Sequence, residues 1–330
     1  MIEVNFSTDL IQAIAEHRTP FATVFFQTFT FLGEIEGYVL MVAAIYAAFD
    51  KHLAIRLAVL VLVTMTINHA IKTIIANPRP FVSEGTFSRN WAVSHAKAAE
   101  LAAEHSTPSG HAMAGGSFYA LLFASVKSHW VKSIAVAALF LTGISRPYLG
   151  VHYVEDILLG WPIGIAFALV ARRLGGAVGN AWFQLSTPKQ CLIAASLSAC
   201  VVAGSSLLYS DASHGQPLPF VSYLGLLSGL SVAYPLEMRW INFNPRSSSP
   251  LIKMARVGLG VALVMGTLLV LDLIFAKIST DGSALGNALR YLRYSTAGLV
   301  GMLGAPYLYM RLGWADAAQQ NDEDRREIAG

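Results

Sequence analysis

Charge is scarce in this sequence. Only 13% of its 330 residues are Asp, Glu, Lys or Arg, while 55% are hydrophobic. Soluble proteins usually carry about twice that charged share. So few charges cannot cover a water-facing surface, and most of the surface is therefore expected to face lipid; the mean hydropathy of +0.53 agrees. The net charge of +3 is too small to hold nucleic acid, and no nucleic-acid partner is expected. Cysteine is nearly missing. Cys191 and Cys200 stand nine residues apart in one apolar run, about 13 Å along a helix, which is too far for a disulfide. They read as inert packing residues. A basic-then-apolar signal peptide is also lacking, so the spans themselves are expected to direct insertion. Repeats and low-complexity segments are absent.

Long apolar runs are plentiful. Nine of them cover about 37–49, 53–76, 111–126, 130–145, 153–171, 192–209, 219–236, 252–275 and 295–312. They predict an all-α fold, a polytopic membrane helix bundle of about nine transmembrane helices, although several runs fall short of the ~20 residues that a perpendicular helix needs. Before them, Leu10, Ile11, Ile14 and Ala15 recur at helical spacing among Asp9, Glu16, His17 and Arg18. That pattern predicts an interfacial amphipathic helix, followed after Pro20 by a short apolar helix. The expected organisation is interfacial helices over 1–36, a five-span core over 37–174, a four-span extension over 175–314 and a charged tail over 315–330. The long polar connection is 81–107. With alternating spans, 14 of the 23 Lys and Arg fall on one side. That side is read as cytoplasmic by the positive-inside rule, and it places the N-terminus outside and the C-terminus inside.

Ionisable groups at membrane depth are costly and tend to mark function or an ion pair. Here they gather on the outer side. The second span ends in KTIIANPRP, where Lys72 and Arg79 lie seven residues apart, two helical turns that put both on one face. The third span begins with TPSGHA: Ser109, Gly110 and His111 occupy a helix start, where free backbone N–H groups and the helix dipole favour an anion and Gly110 admits close approach of a ligand. Between the fourth and fifth spans runs SRPYLGVHYVED. There Asp156 stands one turn from His152 and can fix its tautomer. Three cations, short donors and two imidazoles together suit a doubly charged tetrahedral anion, and no metal or other cofactor is required to offset its charge.

These residues form three patterns, K-x6-R-P, P-S-G-H and S-R-x5-H-x3-D, and in them the chain resembles the type 2 phosphatidic acid phosphatase superfamily. That group includes lipid phosphate phosphatases, glucose-6-phosphatase, bacterial acid phosphatases and vanadium haloperoxidases. The resemblance covers about residues 37–171. It implies that His152 attacks phosphorus to form a phosphohistidine, that Asp156 orients it, and that His111 protonates the leaving oxygen. It further implies that Lys72, Arg79, Ser109, Gly110 and Arg146 bind the phosphoryl oxygens. The expected function is therefore an integral-membrane phosphatase of a lipid phosphomonoester or pyrophosphate: phosphatidate, phosphatidylglycerophosphate, a prenyl pyrophosphate or a sphingoid phosphate. Its expected place is the plasma (inner) membrane, with the site on the extracytoplasmic face and membrane lipids as partners. The nine-span, N-outside layout resembles glucose-6-phosphatase, so a soluble sugar phosphate is the alternative substrate, and a lipid phosphotransferase is a further one. A transport or scaffold protein with a vestigial site is the reading from another class.

Other polar residues have plainer readings. His105 is expected in a solvated loop, and His69, one turn before Lys72, is expected to be packed and hydrogen-bonded. Glu34 and Glu36 are expected to cap or break the first helices. Asp272 should pair with Arg290 or Arg293 between the last two spans. Phe81 and Trp91 are expected to anchor the loop at the interface.

Overall fold

The computed structural model describes residues 6–83, 92–102, 104–208, 219–280 and 283–318. Trp91 and residues 319–330 of the charged tail lie outside these. Among the described residues the protein is all-helical, with one isolated bridge between Phe243 and Ala317. It divides into two compact units, residues 1–38 with 64–171 and residues 39–63 with 172–330.

The first unit contains α1 (Asp9–Glu16), α2 (Pro20–Thr30), a 3-10 turn (Phe31–Gly33), the start of α3 (Ile35–Ala48) and the end of α4 (Lys51–Ile75). It continues through α5 (Pro80–Ser83), α6 (His95–Ala102), α7 (Gly110–Ser125), α8 (His129–Leu149) and the first part of α9 (Val154–Gln184). The caps are legible. Thr19 accepts from the Ala22 amide ahead of Pro20, Ser128 caps α8, and Gly150 ends α8 in the left-handed region at φ 76°. Helix α8 packs against both α2 and α7. Small residues bring α7 and α9 close: a Cβ on Gly116 would stand 2.9 Å from the Trp161 carbonyl oxygen, and one on Gly164 would overlap that of Met113.

The second unit holds the rest of α3, α4 and α9, then α10 (Thr187–Leu208), α11 (Pro219–Trp240), α12 (Pro250–Phe275), α13 (Ala284–Leu299), a π turn (Val300–Gly304) and α14 (Ala305–Arg311). Its core includes Tyr46, Ala54, Leu62, Ala233, Met302 and Tyr309. The Lys51 ammonium is buried there 3.2 Å from Glu237 Oε2; it also donates to Asn242 Oδ1 at 2.8 Å, while Glu237 accepts from the Phe243 amide. Asp272 pairs with Arg293 as expected, and Arg290 donates instead to Ser222 Oγ at 2.7 Å. The cysteines depart from expectation. Both are exposed on α10, a helix that packs mainly against α11.

Over the described residues each apolar run is helical in its interior, while Phe49, Ala76, Val126, Tyr153 and Leu312 at run ends lie outside the helices. Among the described residues, three stretches are long and apolar enough to cross a membrane: Lys51–Val82, Val154–Gln184 and Pro250–Phe275. A fourth is the pair Pro20–Gly33 and Ile35–Ala48, if the two count as one span bent by 60°. Glu34 ends the 3-10 turn and Glu36 opens α3, so the two glutamates stand at the break. The polar connection is not featureless. Helices α5 and α6 form within it, and Phe81 is buried against Ala98, Leu101, Leu149 and Val151 rather than standing as a surface anchor.

Candidate active site

The end of α4 does not follow the simple helical expectation for Lys72 and Arg79. The helix stops at Ile75, and Ala76 turns into the left-handed region at φ 54°. Asn77 precedes Pro78, and a residue before proline is pushed away from the helical region. Arg79 is therefore delivered by a turn and not by the helix face. The guanidinium still arrives buried, and its NH1 donates to the Val151 carbonyl and to His152 Nε2, both at 3.0 Å. Its Nε and NH2 donate to the backbone and carboxylate of Glu104, at 3.2 and 3.1 Å. Lys72 Nζ reaches the same Glu104 carboxylate at 3.6 Å.

His152 likewise lies just ahead of a helix, since α9 begins at Val154. The i,i+4 contact with Asp156 nevertheless forms, with Nδ1 and Oδ2 3.0 Å apart. It forms because Asp156 sits in the first turn of α9 and reaches back to the Tyr153 amide at 3.0 Å, as an acidic capping residue does. Ser106 Oγ donates to the same carboxylate oxygen, Thr107 Oγ1 donates to Oδ1 at 2.6 Å, and Asn77 Nδ2 donates to Thr107 at 2.8 Å. The Asp156 carboxylate is fully enclosed.

This network fixes the His152 tautomer. A guanidinium only donates, so Nε2 must accept from Arg79 and carries the lone pair. Nδ1 then carries the hydrogen and donates to Asp156. Burial first, and then the charges of Arg79, Lys72 and Arg146, hold the His152 imidazole well below its ordinary 6.5, which keeps it neutral.

Ser109 is the N-cap of α7, and its Oγ accepts from the Ala112 amide at 3.4 Å. Its backbone amide donates to the Asp156 carbonyl at 3.1 Å, which ties the start of α7 to α9. A Cβ on Gly110 would stand 3.2 Å from the side-chain ends of Asn68 and Met65 of α4, a close approach of the two helices. Arg146, near the end of α8, is buried; its NH1 donates to Thr30 Oγ1 of α2 at 2.6 Å, and Ser145 donates to the same oxygen at 3.1 Å. Arg146, His152, Lys72 and Arg79 all act electrostatically on the His111 ring. His111 Nε2 and Arg146 Nε are buried with no hydrogen-bond partner among the described residues. Such groups cost about 1–3 kcal/mol each unless a ligand satisfies them. The 3-10 turn closes over the histidine, since a Cβ on Gly33 would stand 2.8 Å from His111 Cδ2.

All eight residues expected from the sequence thus belong to one unit, and seven of them are joined by these contacts or by their electric field. Thr30, Asn77, Glu104, Ser106 and Thr107 were not expected. Ser106 and Thr107 abut the P-S-G-H pattern, and their two hydroxyls in sequence were the available signal. Nothing local marks Thr30 or Glu104. His105 lies in the loop as expected but is half-buried and not fully solvated, and burial followed by the charges of Lys72 and Arg79 lowers its imidazole from the ordinary value.

Comparison with known proteins places the chain in a family. The model of the PAP2 superfamily matches residues 53–179, and that of the PAP2 superfamily phosphatase transmembrane extension matches residues 221–317. The chain belongs to the PAP2 superfamily and is a membrane phosphatase of that group. Two solved structures are similar at 24% identity. Aquifex aeolicus LpxE aligns over 52% of this chain and 99% of its own, with a TM-score of 0.43. The transmembrane PAP2-type phosphatidylglycerolphosphate phosphatase of Bacillus subtilis aligns over 50% of this chain and 82% of its own, with a TM-score of 0.39. No curated protein matches the chain.

Proposed function

We propose that the protein removes a phosphoryl group from a lipid phosphomonoester or pyrophosphate at the outer face of the plasma (inner) membrane. One observation carries this reading. Arg79 NH1 donates to His152 Nε2, and the charges of Lys72 and Arg146 act on the same ring, where two apolar, membrane-length stretches, Lys51–Val82 and Val154–Gln184, reach one end. A phosphate presented at headgroup depth on an acyl or prenyl chain meets such a cluster without leaving the bilayer.

In this reading Nε2 attacks phosphorus, forming an N–P bond as the P–O bond to the lipid breaks. Asp156 accepts the Nδ1 hydrogen bond and stabilises the charge that develops on the ring. His111 gives its proton to the departing oxygen, and water then cleaves the phosphohistidine. Lys72, Arg79, Arg146, Ser109 and the Gly110 amide hold the phosphoryl oxygens, so the reaction runs on positioning and charge. No metal takes part. The remaining helices complete a bundle of about nine spans, and those beyond residue 175 form its membrane extension.

The test is phosphate release by the purified chain in detergent with EDTA, from phosphatidate, phosphatidylglycerophosphate, undecaprenyl pyrophosphate, sphingosine phosphate and glucose 6-phosphate. Release from at least one lipid is expected, together with an acid-labile phosphoenzyme that His152→Ala lacks. Release from glucose 6-phosphate alone would overturn the lipid substrate. Loss of all activity with EDTA would overturn metal-free chemistry.

A further inference from the structure

The carboxylate of Glu104 occupies ground that a phosphoryl group needs. It contacts Lys72 Nζ at 3.6 Å and Arg79 NH2 at 3.1 Å, two of the three cations assigned above to phosphate. Arg79 Nε and NH1 donate to the Glu104 carbonyl, Val151 and His152, contacts within the protein that a ligand would not replace. What Glu104 holds is therefore the part of the cationic surface that a ligand can take over. Two features let it leave. Its side chain is 46% exposed, so the carboxylate has water to turn into. Its backbone carbonyl stays bonded to Arg79 Nε, so the loop need not move when the side chain does.

We infer that Glu104 is an internal competitor for the phosphate site, and that it raises the affinity threshold which any anion must clear before binding. This inference rests on the assignment of Lys72 and Arg79 to phosphate. The selectivity follows from charge. Exchanging one carboxylate for a phosphodiester swaps one negative charge for another and gains little. A phosphomonoester or pyrophosphate brings a second charge to the same cations, so it binds more tightly from the start. A competitor built into the protein weakens both ligands by one common factor. The singly charged diesters, which every common phospholipid headgroup presents to a membrane enzyme, fall below the concentration at which they fill the site. The doubly charged substrate stays above it. The carboxylate remains ionised for this purpose: burial pushes it up, but the charges of Lys72 and Arg79, with a contribution from His69, outweigh that and leave it below its ordinary 4.5.

The experiment compares the full chain with Glu104→Gln and Glu104→Asp in detergent at about pH 7.5, above the second phosphate pKa of roughly 6. Phosphate release from the best lipid substrate is competed with methyl phosphate, a dianion, and with dimethyl phosphate, a monoanion. Glu104→Gln should lower both inhibition constants by a common factor of about five, the equivalent of one exposed ion pair. It should also make turnover sensitive to phosphatidylglycerol added to the micelles, whereas turnover by the natural protein should not change. Glu104→Asp keeps the charge on a shorter arm and should fall between the two. Unchanged constants in Glu104→Gln overturn the inference while leaving the phosphatase reading intact. Raised constants or a collapsed kcat also overturn it, because they would make Glu104 a substrate-binding or proton-transferring group. Failure of methyl phosphate to compete in all three proteins overturns the phosphate-site assignment itself.

Discussion

At the scale of the residue, the informative contact is the one between Arg79 and His152 Nε2 at 3.0 Å, because a donor that can only donate reveals where the ring keeps its lone pair. Asp156 completes that arrangement, and Asp156→Asn is expected to lower kcat by about 10²–10⁴ while methyl phosphate still competes. An unchanged kcat would remove Asp156 from the mechanism. The pH profile gives a second check. His152 is held below 6.5 in the folded protein, so kcat/KM should show no loss assignable to His152 protonation until the pH is below that value. Stability follows the same sign. The unfolded chain binds a proton at about 6.5 that the folded chain refuses, so stability is full above that pH and declines as the pH falls towards the folded value. Chemical denaturation followed from pH 7.5 to 5.5 should show the decline, with a shallower one in His152→Ala. Lys72, Arg79, Ser109, Gly110, His111, Arg146, His152 and Asp156 were legible because they fall in three short patterns, K-x6-R-P, P-S-G-H and S-R-x5-H-x3-D. Thr30 was not, since it reaches Arg146 from 116 positions away and only the packing of α2 on α8 brings them together.

At the scale of the element, the apolar runs foretold the helices but not their ends. Hydropathy registers what a segment faces. Helix ends depend on caps and backbone dihedrals, and so α4 stops before Arg79 and α9 starts after His152. The site uses both frayed ends, because side chains placed beyond a helix can converge from directions a single helix face does not offer. The glycines of α7 and α9 set how closely His111 and Asp156 are carried. Gly164→Ala should force the two helices apart, since its methyl would overlap the Met113 carbonyl oxygen and stand 2.9 Å from the Ser117 amide. Overpacking of this kind costs about 1–3 kcal/mol. The expected result is a lower unfolding temperature in detergent with reduced kcat. Gly176→Ala, on the same helix with nothing within 4 Å of its Cβ, should leave both unchanged.

At the scale of the whole molecule, every residue of the proposed site falls within 1–38 and 64–171, while the buried Lys51–Glu237 pair belongs to the other unit. A buried ion pair is costly to break from one side. Glu237→Gln strands the Lys51 ammonium and should cost about 3–5 kcal/mol, whereas Lys51→Met with Glu237→Leu should recover most of that loss; thermal unfolding in detergent measures both. Composition announced a membrane protein, but not that the beginning of α4 would pack with helices far ahead of it in sequence, since no local pattern encodes a partner 186 positions away. That separation also has a meaning in time. At about 5–20 residues per second, the ribosome needs roughly 10–40 s after Lys51 to make Glu237. For that interval the lysine lacks the carboxylate that it meets in the folded protein, and the packing of the front half of α4 against α11 is completed only after Glu237 has been translated.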